Sequence, residues 1–382
     1  PHDVPVADVH QDVLRSIMRQ ALSGSRLPRL WHFPEGAPAI WMVRGDGCGE
    51  QGADFEVEVM EKHGAYLTFC RPQKSRYSGE LMREWHARGH GITIEANINP
   101  ITQQISARPE GGSPGRGMTA AEINEECPPA IRENLVQHRD AFVRETGLEM
   151  EVFMTHSAQW TGLPMAEMVE ELGWRTLHAF QSLDNRIRPG DDKGPFLIST
   201  ALPMRYLDRD AGVLDLWYVP FQWIDRIWQT VARQRAAGGD LGPEAVQKLM
   251  TGTGEDYGAM LSRFAEEAAC RWHVTQTCSF HPCYVSKPWP YLGSSQGALE
   301  IGLEGAKSSG CRFENLERWS RFFRARAGVQ MRDCRRNGDA TLVTLVSDEG
   351  VKGLTLLLPD DVTEAKQGDT GGGLAGVDVT LE

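Results

Sequence analysis

Four short apolar segments each carry, at or near their ends, a residue able to move a proton or hold a cation. Asp46 follows AIWMVRG (39–45), Glu95 lies in GITIEANI (91–98), His156 falls near the end of EVFMTHS (151–157), and His281 follows TQTCSF. Carboxylates and imidazoles gathered in one place can ligate a divalent ion or exchange protons directly. Each residue also has a simpler use. Asp46 between Gly45 and Gly47 suits a turn, and Glu95 beside Ile94 and Ile92 suits a strand with one solvated face. His156 suits a core histidine bonded to a carbonyl, and His281, before Pro282, suits a cap. Their shared position at strand ends is what joins the four into one candidate site. Of the 11 tryptophans, Trp160 and Trp289 are the candidates for stacking on a sugar ring.

The segments bearing these groups alternate with amphipathic stretches. Strand patterns at 39–45, 65–70, 91–98, 151–157, 174–180 and 274–280 are separated by helical patterns near 52–62, 78–88, 119–146, 164–172 and 221–272, and further helices follow near 292–307 and 314–327. Such alternation predicts βαβ units and a mostly parallel sheet. At least six units fit between residues 39 and 330, which favours a (β/α) barrel over an open doubly wound sheet. In a barrel the reacting groups converge where strands end and loops begin. The expected organisation is a helical segment over 1–30, the barrel over 31–328 and a small all-β appendage over 329–382. QGDTGGGLAG (367–376) reads as a flexible link inside that appendage.

Composition narrows the field. The 382 residues carry 40 Lys and Arg against 52 Asp and Glu, a net charge of −12. An acidic chain without a basic stretch is a poor partner for phosphate backbones, so nucleic-acid binding is set aside. No run approaches the roughly 18 apolar residues of a membrane helix. The opening residues show no signal-peptide pattern, and a cytoplasmic location is expected. Eight cysteines are too sparse for a disulfide scaffold and are expected as buried thiols. The HExxH zinc motif and the GxxxxGK[ST] phosphate loop are absent.

The order of the strand-end segments resembles the NodB-homology polysaccharide deacetylases. V-R-G-D-G (43–47) stands at the place of that family's T-F-D-D-G. R-G-H-G-I-T-I-E-A-N-I-N-P (88–100) stands at its second motif, with Gly89, His90, Ile92 and Pro100 keeping the frame. M-T-H-S-A-Q-W (154–160) and S-F-H-P (279–282) follow in order. The resemblance covers roughly residues 28–290 and implies a distorted (β/α) barrel, a divalent metal and an acyl hydrolase. On this alignment Gly45 replaces the general base, Asp46 keeps a metal-binding place, and Glu95 and Asn99 replace the two metal histidines. A metal set of Asp46, Glu95 and Asn99 is all oxygen, which suits Mg²⁺, Mn²⁺ or Ca²⁺ better than Zn²⁺.

Three readings follow. The first is a divergent hydrolase acting on an amide or ester bond of a carbohydrate or related small molecule. In it Asp46 and Glu95 are metal ligands or an acid–base pair, His281 is the acid, and His156 is a base or oxyanion partner. The second is a catalytically silent barrel that binds a glycan or a partner. The third is a glycoside hydrolase using Asp46 and Glu95 as its carboxylate pair.

Overall fold

The computed structural model describes residues 10, 13, 14, 16, 17, 28–96, 129–155, 163–178, 202–207, 210, 212–220, 223–225, 254–287, 295–337, 340–348, 350–357, 365–367 and 377–381. The chain divides into two compact units, one over residues 39–317 and one comprising 10–38 with 318–382. In this division residues 31–38 and 318–328 fall with the C-terminal strands. Of the expected N-terminal helix, residues 10, 13, 14, 16 and 17 are helical and the remainder lies outside the described residues.

In the second unit, β1 (Arg29–Leu30) pairs with β14 (Leu356–Leu357). β12 (Gln330–Asn337), β13 (Ala340–Val346), β16 (Val377–Leu381) and β15 (Ala365–Gln367) form an antiparallel sheet in that order. The expected link at 367–376 lies, past Gln367, outside the described residues. Phe33 packs against Trp319, their ring centroids 5.6 Å apart.

The first unit is built on β2 (Ile40–Gly45), β3 (Leu67–Arg71), β4 (Gly91–Ala96), β5 (Val152–Thr155), β6 (Thr176–Leu177) and β8 (Val213–Tyr218). Each is parallel to the one before it. Between them run α1 (Ala53–Lys62), α2 (Gly79–Ala87), α3 (Pro129–Thr146) and α4 (Leu163–Glu171). β7 (Met204–Leu207) pairs antiparallel with β8 at one edge. On the other side β10 (Thr275–Phe280) lies parallel to β2, and β9 (Trp223–Ile224) lies parallel to β10. β11 (Arg312–Phe313) pairs with the start of β2.

Strand order therefore advances one way from β2 to β8 without reversal, as in a barrel and unlike a doubly wound sheet. Among the described residues no ladder joins β7 to β9, so the expected barrel appears as a mostly parallel sheet without closure.

The helical expectation over 221–272 fails at Trp223–Ile224. There the pairing of Cys278 with Trp223 and Ser279 with Ile224 makes a strand, and an available parallel ladder overrides local periodicity. Helix is recovered in α5 (Gly254–Glu267) and a π-helical turn over Ala268–Trp272. β10 then runs into α6 (Pro282–Ser286), and α7 (Gln296–Ser308) and α8 (Leu316–Ala327) follow.

Register decides which residues face which way. Trp41, Val43, Leu67, Phe69, Ile92, Ile94 and Phe153 share the face that packs on the helices, and Trp85 of α2 and Trp174 belong to the same core. The opposite face carries Arg44 and Asp46 from β2 and its end, Cys70 from β3, Glu95 from β4, and Ser279 with His281 from β10 and its end. A strand whose two faces are both covered reads as a continuous apolar run, which is why the polar members of these runs are conspicuous.

Candidate functional site

β2 and β10 are hydrogen-bonded along their whole length, from Thr275 opposite Ile40 to Phe280 opposite Gly45. The ladder continues one step further, where the Asp46 N–H donates to the Phe280 carbonyl at 2.8 Å. That bond fixes Asp46 beside His281. The two side chains meet with His281 Nε2 3.8 Å from Asp46 Oδ2. Both residues are almost wholly buried, Asp46 3% and His281 5% exposed.

Asp225 holds the imidazole from its other side. Its Oδ2 accepts the His281 backbone N–H at 2.8 Å, and its Oδ1 lies 2.7 Å from His281 Nδ1. A carboxylate only accepts, so Nδ1 carries the proton and Nε2 is the nitrogen turned toward Asp46. Asp225 is completely buried. It was hidden in the sequence because the run FQWIDRIW reads as helix; it sits directly after β9, the two-residue strand that the sequence does not announce.

Arg44, two residues before Asp46 and on the same face, donates from Nη2 to Asp46 Oδ2 at 3.0 Å and from Nε to Ser279 Oγ at 3.0 Å. Ser279 is its register partner on β10. Two neighbours on this face feel its charge. Burial pushes the Cys70 thiol well up, with Arg44 opposing and Glu95, Asp46 and Glu56 reinforcing. Burial holds the His178 imidazole neutral, Arg44 adds to that effect, and the Val219 carbonyl at 2.8 Å from Nδ1 opposes it.

Glu56, on α1, is a fourth ionisable group that the sequence does not single out. It is fully buried, and both carboxylate oxygens lack a hydrogen-bond partner among the described residues. A Cβ placed on Gly45 would lie 2.9 Å from Glu56 Oε2, so this carboxyl fills the space that a side chain at position 45 would need. Burial raises its pKa well above the ordinary carboxylate value; Asp225 and Asp46 add to the rise and His281 opposes it. It is held as the neutral acid.

Glu95 is 3% exposed, so the solvated-face reading of its strand does not hold. Its Oε2 stands 2.7 Å from where a Cβ on Gly47 would be, which places it at the turn after Asp46. Asn99, His156, Trp160 and Trp289 lie outside the described residues. His90, which keeps the frame of the second motif, plays a structural part. Its Nδ1 accepts the Leu67 N–H at 2.9 Å and its Nε2 is 3.1 Å from Glu61. Among the described residues Cys70, Cys278 and Cys311 are buried thiols, whereas Cys283 and Cys334 are half-buried and Cys270 is exposed.

One further pattern occupies the loop after Asp46. Gly47, Gly49 and Gly52 have the spacing of a dinucleotide-binding turn, with a strand before them and α1 behind. Here the helix terminus is already used, because the Gly52 and Ala53 N–H groups both donate to Tyr77 Oη at 3.0 Å. A pyrophosphate needs those amides unspent, and the glycines serve close packing instead. A Cβ on Gly47 would overlap the Cys70 carbonyl, and one on Gly49 would lie 2.8 Å from Cys283 Sγ.

The divalent ion implied by the resemblance does not fit the described donors. Asp46 Oδ2 is engaged by Arg44 and His281 Nδ1 by Asp225. Among the described residues no three His, Cys, Asp or Glu side chains converge as a metal-holding group. No helix among them is long and apolar enough to cross a membrane.

No family model matches the chain, and a search of curated proteins finds no match. Solved structures do match. A protein from Mycobacterium smegmatis assigned to the polysaccharide deacetylases aligns over 79% of this chain and 96% of its own, with a TM-score of 0.51 and 13% identity. A polysaccharide deacetylase from Bacillus cereus aligns over 72% and 91%, with 12% identity and a TM-score of 0.36. For a Streptococcus mutans esterase the values are 78%, 90%, 10% and 0.39. At this identity the first of these speaks to architecture alone, and it agrees with the one-way strand order: the chain shares the fold of the polysaccharide deacetylases.

Proposed function

We propose that the chain is a deacetylase-like hydrolase cleaving an acyl C–N or C–O bond of a carbohydrate or related small molecule. The observation that carries this reading is the buried His281–Asp225 pair with Nε2 turned on Asp46. Asp225 fixes the tautomer and stabilises the imidazolium, as a buried carboxylate does for a working histidine. Asp46 takes a proton from the attacking water as its oxygen bonds to the acyl carbon. Asp46 passes that proton to the facing Nε2 of His281, and the imidazolium so formed, steadied by Asp225, gives it to the departing nitrogen or oxygen as the acyl bond breaks. Glu95 lines the same end of the sheet and binds the substrate's polar edge. In this reading Trp160 and Trp289 serve as platforms for sugar rings, and His156 and Asn99 as further polar contacts for the substrate. Closure of the sheet into a distorted barrel is part of the same proposal.

A second reading, the silent barrel, draws on the ion pair between Arg44 and Asp46, which occupies a carboxylate oxygen that a base would use. One assay separates the two. Acetate release is measured on N-acetylglucosamine oligomers and acetylated xylan, with wild type and His281→Ala. The hydrolase reading expects turnover in the wild type and a kcat lower by about 100-fold or more in the variant. An unchanged kcat, or an effect confined to KM, sinks the acid role. Glycan binding without any turnover establishes the silent barrel.

A further inference from the structure

The feature left unused by that chemistry is a permanently charged guanidinium buried at the reacting end of the sheet. Arg44 is 1% exposed. Arginine stays protonated in proteins, so this charge cannot be shed to ease burial. Two anchors fix its plane: Nε donates to Ser279 Oγ and Nη2 to Asp46 Oδ2, each at 3.0 Å. Ser279 occupies the register position opposite Arg44 on β10, so the neighbouring strand supplies a short hydroxyl where the guanidinium passes.

We infer that Arg44 is the resident cation of this site, standing beside Asp46 in the place where the fold's resemblance implies a divalent ion, so that the site operates without one. Geometry sets the exclusion. Zn²⁺ and Mg²⁺ sit about 2.0–2.2 Å and Ca²⁺ about 2.3–2.6 Å from carboxylate oxygens, and Nη2 is 3.0 Å from Oδ2. An ion on that oxygen would therefore lie within about 6 Å of a fixed positive charge. It would also have to displace a charge-assisted hydrogen bond that a buried arginine has every reason to keep. His281 offers no substitute donor from Nδ1, which is spent on Asp225. Arg44 is a positioning residue in this account: it orients the Asp46 carboxylate and balances its charge without itself meeting the substrate.

The inference rests on the hydrolase reading only for the purpose of the site, and its test does not use turnover. Purified wild type is dialysed against Zn²⁺, Mn²⁺, Mg²⁺ or Ca²⁺ and then against buffer, and bound metal is counted by elemental mass spectrometry. Zn²⁺ and Mn²⁺ affinities are then measured calorimetrically for wild type, Arg44→Met, Arg44→Lys, Asp46→Asn, and each Arg44 variant combined with Asp46→Asn. The expected result is less than about 0.1 ion per wild-type chain. Arg44→Met should gain at least tenfold in affinity through the released carboxylate, and the double variant with Asp46→Asn should lose that gain. If Arg44→Met does not fold, Arg44→Lys serves instead. A compact ammonium does not reproduce the two-pronged hold, so a smaller gain, also abolished by Asp46→Asn, is expected. A stoichiometric ion in the wild type that Asp46→Asn removes overturns the inference. So does an ion-free wild type in which neither Arg44 variant gains affinity. A failed hydrolase reading shows itself only in the acetate assay, so the two failures are distinguishable.

Discussion

Glu56 gives a prediction that can be worked from the structure alone. Its carboxyl is completely buried, lacks a hydrogen-bond partner among the described residues, and faces Asp225 at the end of β9, His281 at the end of β10 and Asp46 at the end of β2. In the unfolded chain it titrates near 4.5, whereas in the folded protein its pKa lies well above that value. Between those two values the native state holds a proton that the unfolded state has released. Stability therefore falls as pH rises through this window, by about 1.4 kcal/mol per pH unit for one group. The unit over 39–317 has roughly 280 residues and an unfolding entropy of about 0.6 kcal/mol/K, so each pH unit corresponds to about 2 °C in Tm. Glu56→Gln removes the titration while keeping the shape. Denaturant melts of wild type and Glu56→Gln at half-unit steps from pH 4.5 to 8 should converge at the acid end. The variant should become progressively the more stable of the two as pH rises. A stability difference that stays constant across the range would show that Glu56 is not held neutral, and the account of its burial would be wrong.

Other consequences follow from single contacts. Asp46→Ala leaves the Arg44 charge buried and uncompensated, and it should cost about 3–5 kcal/mol, roughly 5–8 °C in Tm, besides abolishing turnover; calorimetry and the acetate assay check the two parts. Gly47→Ala should lower Tm by several degrees, because its Cβ overlaps the Cys70 carbonyl and crowds Glu95; an unchanged melt would show that the turn after Asp46 is misplaced. His90→Leu strands the buried Leu67 N–H and should cost about 1–3 kcal/mol in a denaturant melt, with kcat on the chosen acetylated substrate unaffected. Loss of kcat there would give His90 the functional part that its motif position suggests.

The elements around the site were legible because buried parallel strands and amphipathic helices write different periods into a sequence. The runs 39–45, 65–70 and 91–98 correspond to β2, β3 and β4, and the helical patterns at 52–62 and 78–88 to α1 and α2. Asp46 and His281 stood out as polar residues ending apolar runs, and the β2–β10 ladder brings them together. Asp225 did not stand out, since a two-residue strand has no period of its own and its helical surroundings mask it. Arg44 was not singled out within AIWMVRG, because alternation alone does not say that a neighbouring strand offers Ser279 and the next turn offers Asp46. Glu56 lies inside the helical pattern at 52–62, where nothing in the sequence marks one acid for burial. Only the glycine at position 45, packed against it, explains why a carboxyl is buried there.

The central claim is that His281, held by Asp225, moves the proton in an acyl hydrolysis. Its most direct test is the kcat of Asp225→Asn on the best acetylated substrate, measured beside wild type. The exchange keeps size and shape but removes the charge that steadies the imidazolium. The account predicts a fall in kcat of about 100-fold or more, no larger than that of His281→Ala, with KM changed little. A variant that turns over at the wild-type rate would contradict it.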